Sequence, residues 1–380
     1  MKRDLFNHGN NWKAWKENLT DNYIEEGLTK ENSKLFVQYL HDLEIGANIP
    51  KNSRKGGRDP KTLNRLRSKV SCIFKILQEA GFNDIKKIKE TELTEFFAKW
   101  REKGHSADYA KRFKAFWHWW MTVNRKQGKL IADVTEDLDT AANGTSQFVW
   151  IDKANFDKYK KYFDEDEQVV LNFCYDTIIR SPTELLSLKV ENVFEKDDEV
   201  WIDIPDGVSK TFGRKFNLVY CGDMLKKYLR DKKLKSTDYL FDFSPQIFNR
   251  RMQKIAKQIF GDKKSEGGEF YKNITMYDLR HSGAIHYRQL FQKTGNSLDS
   301  LRHRGGWADF KMINYYTKFL GLDGHIDKQK TLLQEDKTKL EKEMEGLKEL
   351  FMKFAKGEIV YDDEEKKFYD GKKPIEMKII

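Results

Sequence analysis

The sequence predicts a mainly helical α+β protein with one small β-sheet, and three observations lead there. Apolar residues recur at helical spacing through most of residues 10–140 and again from about residue 244 onward. A single region, residues 199–221, has the alternating, β-branched and aromatic character of strands. The chain has 380 residues, 39% of them hydrophobic and 13% aromatic, which is enough for two ordinary domains with real cores.

The elements follow in order. Asn32 and Ser33 precede KLFVQYLHDL, in which Leu35, Phe36, Tyr39 and Leu40 share one helical face. Two glycines then make a loop, Asp59 can cap a helix, and Pro60 sits where a first turn tolerates proline. Leu63, Leu66, Val70, Ile73, Phe74 and Leu77 continue that helix. A third helical pattern, TELTEFFAKWREKG, ends at Gly104. A fourth, ADYAKRFKAFWHWWMTVNRKQG, is aromatic around most of its girth, which predicts burial deep in a helical core, with Trp117, Trp119 and Trp120 as core material. The polar stretch LIADVTEDLDTAANGTSQF reads as an interdomain linker, with a boundary near residue 146.

In the second half, EVWIDIP and KFNLVYC read as strands joined by the basic turn DGVSKTFGR. Helices resume at SPQIFNRRMQKIAKQIF and again from about residue 278. Beyond residue 325 the composition changes. Leu333, Leu340, Met344, Leu347, Phe351 and Phe354 stand at alternating four- and three-residue steps interrupted by Lys337, a coiled-coil pattern of about three heptads. The same stripe also fits a helix docked on its own domain. Residues 361–380 are too charged and short to assign.

The net charge of +10 favours an anionic partner. With 34% charged residues, much of that charge is simply a solvated surface. Cys72, Cys174 and Cys221 are far apart and odd in number, with no CxxC pair or Cys/His cluster, so neither a disulfide framework nor a structural zinc site is supported. The first residues lack the apolar stretch of a signal peptide, and no run reaches the roughly 18 apolar residues of a membrane span. A soluble, cytoplasmic protein is expected. Eight basic residues, Lys51, Arg54, Lys55, Arg58, Lys61, Arg65, Arg67 and Lys69, are the best candidates for contacting a DNA backbone, the alternative being a solvated helix face.

The most informative segments are YDLRHSGAIHYRQL and GGWADFKMINYYTKF. Together they resemble the catalytic end of the tyrosine recombinase (phage integrase) family. Tyr277-Asp278-Leu279-Arg280-His281 is similar to that family's His-x-x-Arg box, with Tyr where His is usual. Gly306-Trp307 matches its Gly-His/Trp element, and Tyr316 follows Trp307 at the family's spacing to the nucleophile. Upstream, FCYDTIIRSPTELLSLKVENVF resembles the first arginine box and places Arg180, although Glu184 stands one residue further on than is usual. The turn VSKTFGRKF offers Lys210 as the family's β-turn lysine, with Lys215 as the weaker candidate. High lysine content and the Tyr-for-His exchange resemble archaeal and mobile-element integrases.

The residue types suit the chemistry. A phenol ionises near pH 10, so tyrosine is a poor nucleophile until its phenolate is stabilised. Attack on a phosphodiester builds negative charge that two guanidiniums, Arg180 and Arg280, can hold through forked hydrogen bonds. The Trp307 indole can donate to the same phosphate. Lys210 can protonate the leaving 5′ oxygen. The resemblance leaves the proton acceptor open between Tyr277, whose own phenol is ordinarily protonated, and His281. Taken singly, each residue also has a plain reading: Arg180 as a surface arginine, His281 as a packing residue, Trp307 as a core anchor, Tyr315 as the rival nucleophile. His303, thirteen residues before Tyr316, stands too far away for the family's histidine and reads as a loop or surface residue.

The resemblance implies a helical core-binding domain over residues 1–145, a mixed α/β catalytic domain over 146–325, and a C-terminal helix and tail over 326–380 that can bring protomers together. It implies site-specific cutting and rejoining of double-stranded DNA through a 3′-phosphotyrosyl link, by dimers to tetramers on DNA, with no metal or other cofactor. Two other readings remain at this stage: a type IB topoisomerase-like enzyme that reseals the same strand, and an inactive DNA-binding relative.

Overall fold

Two hydrophobic cores organise the chain, one built from its first 138 residues and the other from residues 149–279. The computed structural model describes residues 3–20, 25–102, 107–141, 147–319, 340–341, 343–348, 351–362, 367–370 and 373–374. It divides into two compact units, residues 1–313 and residues 314–380.

The first core lies among α1 (His8–Glu17), α2 (Lys30–Ile45), α3 (Pro60–Glu79), α4 (Glu90–Glu102) and α5 (Ala107–Lys126). Helix α3 starts as expected, with the Asp59 carboxylate accepting from the Thr62 N–H and proline in the first turn. Helix α2 starts one turn earlier than its sequence pattern implied. Thr29 is the cap, accepting from the Asn32 N–H. Asn32 and Ser33 are wholly buried, because Asn32 is used in tertiary contacts: its side chain donates to Gln78 Oε1 (2.8 Å) and accepts from the Ile85 N–H (3.0 Å). Helix α5 is the hub. Trp117 and Trp119 are buried, and the Trp119 indole donates to Asp42 Oδ2 at 2.9 Å. Trp120 is only partly buried against the same core.

The stretch read as a linker is largely part of this core. Val134 and Leu138 are buried in it, the Trp117 indole donates to the Ala132 carbonyl, and Lys114 donates to the Thr135 carbonyl. Spaced aliphatic residues sufficed to fold a polar segment down, since its backbone carbonyls cap α5 side chains. The expected boundary near residue 146 falls at residues 142–146, outside the described residues.

The second core carries α6 (Lys153–Tyr159), α7 (Glu165–Thr177), a meander of β1 (Val193–Lys196), β2 (Glu199–Ile204) and β3 (Arg214–Asn217), then α8 (Gly222–Lys232), α9 (Pro245–Phe260), α10 (Met276–Thr294) and α11 (Leu298–Gly305). All strand pairs are antiparallel, with Ile202 opposite both Val193 and Phe216. Strand β1 was not expected from the sequence, and β3 stops at Asn217 rather than running to Cys221. The chain turns there because the N–H groups of Val219, Tyr220 and Cys221 all donate to the Asp176 carboxylate on α7. The N-terminal residues reach this core too: Leu5 packs on it, and the Arg3 guanidinium lies over the Tyr239 ring.

Helix α12 (Lys311–Phe319) runs across the division at residue 313. In the second unit, residues 340–341, 343–348 and 351–355 are helical. There Leu340, Met344, Leu347, Phe351 and Phe354 are exposed; Leu333 and Lys337 lie outside the described residues. The unassigned tail contains a three-stranded antiparallel sheet of β4 (Ile359–Asp362), β5 (Lys367–Asp370) and β6 (Lys373–Pro374). No described helix is long and apolar enough to cross a membrane.

Candidate active site

Helix α7 delivers the first arginine. The helix ends at Ile178, a β-branched residue held in the left-handed region at φ 46°. Such a conformation costs roughly 1–2 kcal/mol and persists only where packing over-determines it. Here Ile178 is wholly buried, and α10 crosses α7 so closely that a Cβ on Gly283 would collide with the Tyr175 carbonyl oxygen. The turn presents Arg180, whose side chain is 16% exposed.

Arg180 is anchored through both its side chain and its backbone. Its Nη1 donates to Glu184 Oε1 at 2.7 Å, its Nη2 to the Gly306 carbonyl at 2.5 Å, and its backbone N–H to Glu184 Oε2 at 3.1 Å. The extra residue between the arginine and the glutamate therefore does not separate them. Glu184 is buried and also accepts from Arg214 Nη2 at 2.8 Å. Burial pushes its carboxyl up, but the hydrogen bonds and charges of Arg214 and Arg180 outweigh that and hold it at about 2.

Arg280 comes from the first turns of α10 and is 2% exposed. Its Nη2 donates to the Gly305 carbonyl at 2.7 Å, its Nη1 donates to the Ile178 carbonyl, and its guanidinium lies 5.2 Å from the Trp307 ring. Successive carbonyls at the end of α11 thus anchor two arginines from different elements. Both glycines are required by space. Gly306 has φ +60°, and a Cβ there would approach the Arg214 and Arg180 guanidiniums to 2.7 and 3.2 Å; one on Gly305 would meet the Trp307 ring at 2.7 Å.

Lys210 is exposed on the β2–β3 turn, between two anchored neighbours. Ser209 is buried and donates to Glu184 Oε1, and Thr211 donates to the Gly306 carbonyl at 2.7 Å. The turn is thereby pinned to the arginine cluster while its lysine stays free to reach outward. Lys215 is instead paired with Asp203 at 3.1 Å across the sheet.

Two guanidiniums fixed on neighbouring carbonyls, one of them against an indole, supply the kind of preset positive charge that can hold an anion. The phage integrase family model matches residues 153–320, which include every one of these groups. Residues 153–320 form a phage integrase domain. No curated protein matches the chain. Among solved structures, a XerH site-specific recombinase bound to a palindromic difH substrate is 18% identical, with a TM-score of 0.51 over 88% of this chain and 94% of that one. A Tn1549 transposon integrase in complex with circular intermediate DNA is 13% identical, with a TM-score of 0.53 over 80% and 98%. A lambda integrase dimer bound to a core site is 17% identical, with a TM-score of 0.53 over 78% and 97%. At these identities the likeness establishes a tyrosine recombinase fold.

Within the integrase domain, Tyr277 is 43% exposed, and its ring meets His281 edge-on at 5.0 Å. His281 also packs on Phe148 at 4.7 Å. Burial, and then the neighbouring Arg280 charge, depress the imidazole to about 4, so it is neutral at physiological pH. His303 is exposed, but on α11 rather than in a loop, since the helix runs on to the glycine pair. Tyr316 lies on α12; its side chain is outside the described residues. Tyr315, beside it, is partly buried, which pushes its phenol up.

Three supporting residues escaped the sequence reading: Arg214, Arg304 and Asp176. Asp176 accepts from the Tyr287 hydroxyl at 2.6 Å, from Arg304 and from three N–H groups, tying α7, α10, α11 and the turn after β3 together. The available signal was a charge at an inward strand position: Arg214 alternates with Phe216 on the buried face of β3.

Proposed function

We propose that this protein is a site-specific DNA recombinase of the integrase type, cutting and rejoining double-stranded DNA through a 3′-phosphotyrosyl intermediate. The observation that carries the proposal is the anchoring of Arg180 and Arg280 on the adjacent carbonyls of Gly306 and Gly305, within a phage integrase domain. A guanidinium held before substrate arrives needs no reorganisation as charge develops on the non-bridging oxygens. One such contact supplies on the order of 3 kcal/mol of barrier lowering.

In the proposed reaction, Tyr316 Oη attacks the scissile phosphorus as the bond to the 5′ oxygen breaks. Lys210 gives that oxygen its proton, and Trp307 supports the phosphate. Tyr277 positions a phosphate oxygen or a water, and the tyrosine proton leaves to that water; burial and the Arg280 charge hold His281 at about 4, which makes it a weak acceptor. The 5′ hydroxyl of a partner strand then attacks the phosphotyrosine and releases the enzyme. No external energy is needed, because one phosphodiester is exchanged for another.

Residues 1–145 would form the helical clamp, 146–325 the catalytic domain, and 326–380 a segment that brings protomers together into dimers to tetramers on DNA. The structural neighbours are described in complex with DNA, one of them as a dimer. Lys51, Arg54, Lys55, Lys61 and Arg65 are exposed on the loop before α3 and on its first turns, and Arg58, Arg67 and Lys69 are half-buried there. They would contact DNA phosphates. The expected setting is the cytoplasm, on the nucleoid.

A plasmid bearing two copies of the DNA that flanks the protein's own gene tests the reading. Recombination predicts two smaller circles, or an inverted segment when the copies are opposed. Relaxation of any supercoiled plasmid without exchange would contradict it.

A further inference from the structure

Two guanidiniums share one buried carboxylate beside the site, and only one of them reaches the surface. We propose that Arg214 is a positioning residue for strand cleavage: it engages Glu184 so that Arg180 stays fixed while keeping an uncancelled positive charge for the phosphate. The inference rests on the recombinase reading above.

Arg214 does not touch DNA itself, because its side chain is 0% exposed. Its donors are distributed over three acceptors: Nη2 to Glu184 Oε2 at 2.8 Å, Nε to the Arg304 carbonyl at 2.9 Å, and Nη1 to Ser209 Oγ at 3.3 Å. Glu184 in turn gives Oε1 to Arg180 Nη1 and Oε2 to the Arg180 N–H. The carboxylate therefore clamps Arg180 from two sides. A clamp made of Glu184 alone would have a cost. A buried ion pair is net neutral, and in a poorly solvated setting the carboxylate would offset most of what Arg180 offers a phosphate. Arg214 changes that balance, since the three groups together carry one positive charge.

Space supports the same reading. A Cβ on Gly306 would meet both guanidiniums, so Arg180 and Arg214 border the same backbone position with no room for a larger residue. Through the Arg304 carbonyl, Arg214 is also fixed to α11, the helix whose end holds both catalytic arginines. A lysine at 214 has no fork with which to span three acceptors.

The test measures the rate of covalent adduct formation on nicked duplexes cut from the DNA flanking the protein's own gene. Arg214→Met is expected to slow it by about 10- to 100-fold, with DNA affinity in a mobility-shift assay unchanged. Glu184→Gln added to Arg214→Met is expected to restore the rate several-fold, because the charge that cancelled Arg180 has gone. Arg214→Gln, which keeps polar contacts to Ser209 and the Arg304 carbonyl, serves if Arg214→Met does not fold. The proposal is overturned if the double variant is no faster than the single one, as a purely structural role predicts, or if Arg214→Met matches the wild type. An adduct in the wild type keeps the recombinase reading intact in either case. Its absence from the wild type, across fragments the protein binds, would overturn that reading and this inference together.

Discussion

At position 184 burial works against ionisation and loses. Arg214 and Arg180 hold the carboxyl at about 2, well below its ordinary 4.5. A depressed acid stabilises the folded state above the unfolded value and loses that contribution as pH falls through the folded one. Glu184 should therefore contribute on the order of 3 kcal/mol that is present above about pH 4.5 and lost towards pH 2. Denaturant titrations of the wild type and Glu184→Gln should converge at the acid end of that window. His281 works in a different window. Unfolded histidine takes a proton near pH 6.5, whereas the folded residue refuses it until about pH 4. Stability should fall by roughly 3 kcal/mol as pH drops between those values, and His281→Asn should remove the slope. Individual residues were legible where they stand in a motif. Arg180, Lys210, Arg280 and Trp307 could be picked out because their order and spacing resemble the family's boxes. Arg214 could not, since an arginine pointing into a core looks in sequence like one more basic residue in a basic turn.

The elements that position these groups depend on close approach. Helices α7 and α10 meet over Gly283, and the two arginines converge where α11 ends in a glycine pair. Gly283→Ala should destabilise the protein by about 1–3 kcal/mol, since the carbonyl of Tyr175 cannot retreat without moving α7; a thermal melt would show it as a drop in Tm. Long amphipathic helices were legible from spacing, as in α3, α5 and α9. Their boundaries were less so. Thr29 caps α2 because Asn32 is drawn into contacts with Gln78 and Ile85, both distant in sequence. Strand β1 escaped notice because only four residues pair, and β3 ends early because Asp176 gathers the next three N–H groups.

For the whole molecule, the basic excess and the exposed apolar stripe make separate predictions. If the segment before α3 and the start of that helix bind phosphates, replacing Lys51, Arg54, Lys55 and Lys61 with Gln should flatten the dependence of log affinity on log salt by roughly 0.9 for each phosphate that is no longer neutralised. Anisotropy titrations over a salt series measure this. Leu347 and Phe351 are exposed on the C-terminal helical residues. If that stripe joins protomers, Leu347→Lys with Phe351→Lys should reduce the mass seen by light scattering while leaving cleavage of a single site in place. Family and reaction class were legible from four motifs in a fixed order. The two-core layout was legible only in outline, because the apparent linker folds onto α5 through Val134 and Leu138.

The central claim is that Tyr316 becomes covalently joined to DNA, and covalent trapping tests it most directly. Wild type, Tyr316→Phe and Tyr315→Phe would be mixed with nicked duplexes from the DNA flanking the protein's own gene, denatured, and resolved on a gel, with any DNA-linked peptide sequenced. A shifted band that persists in Tyr315→Phe, disappears in Tyr316→Phe and maps to α12 is the expected result. A band that survives Tyr316→Phe, or tight binding with no adduct on any fragment of a pooled genomic library, would contradict it.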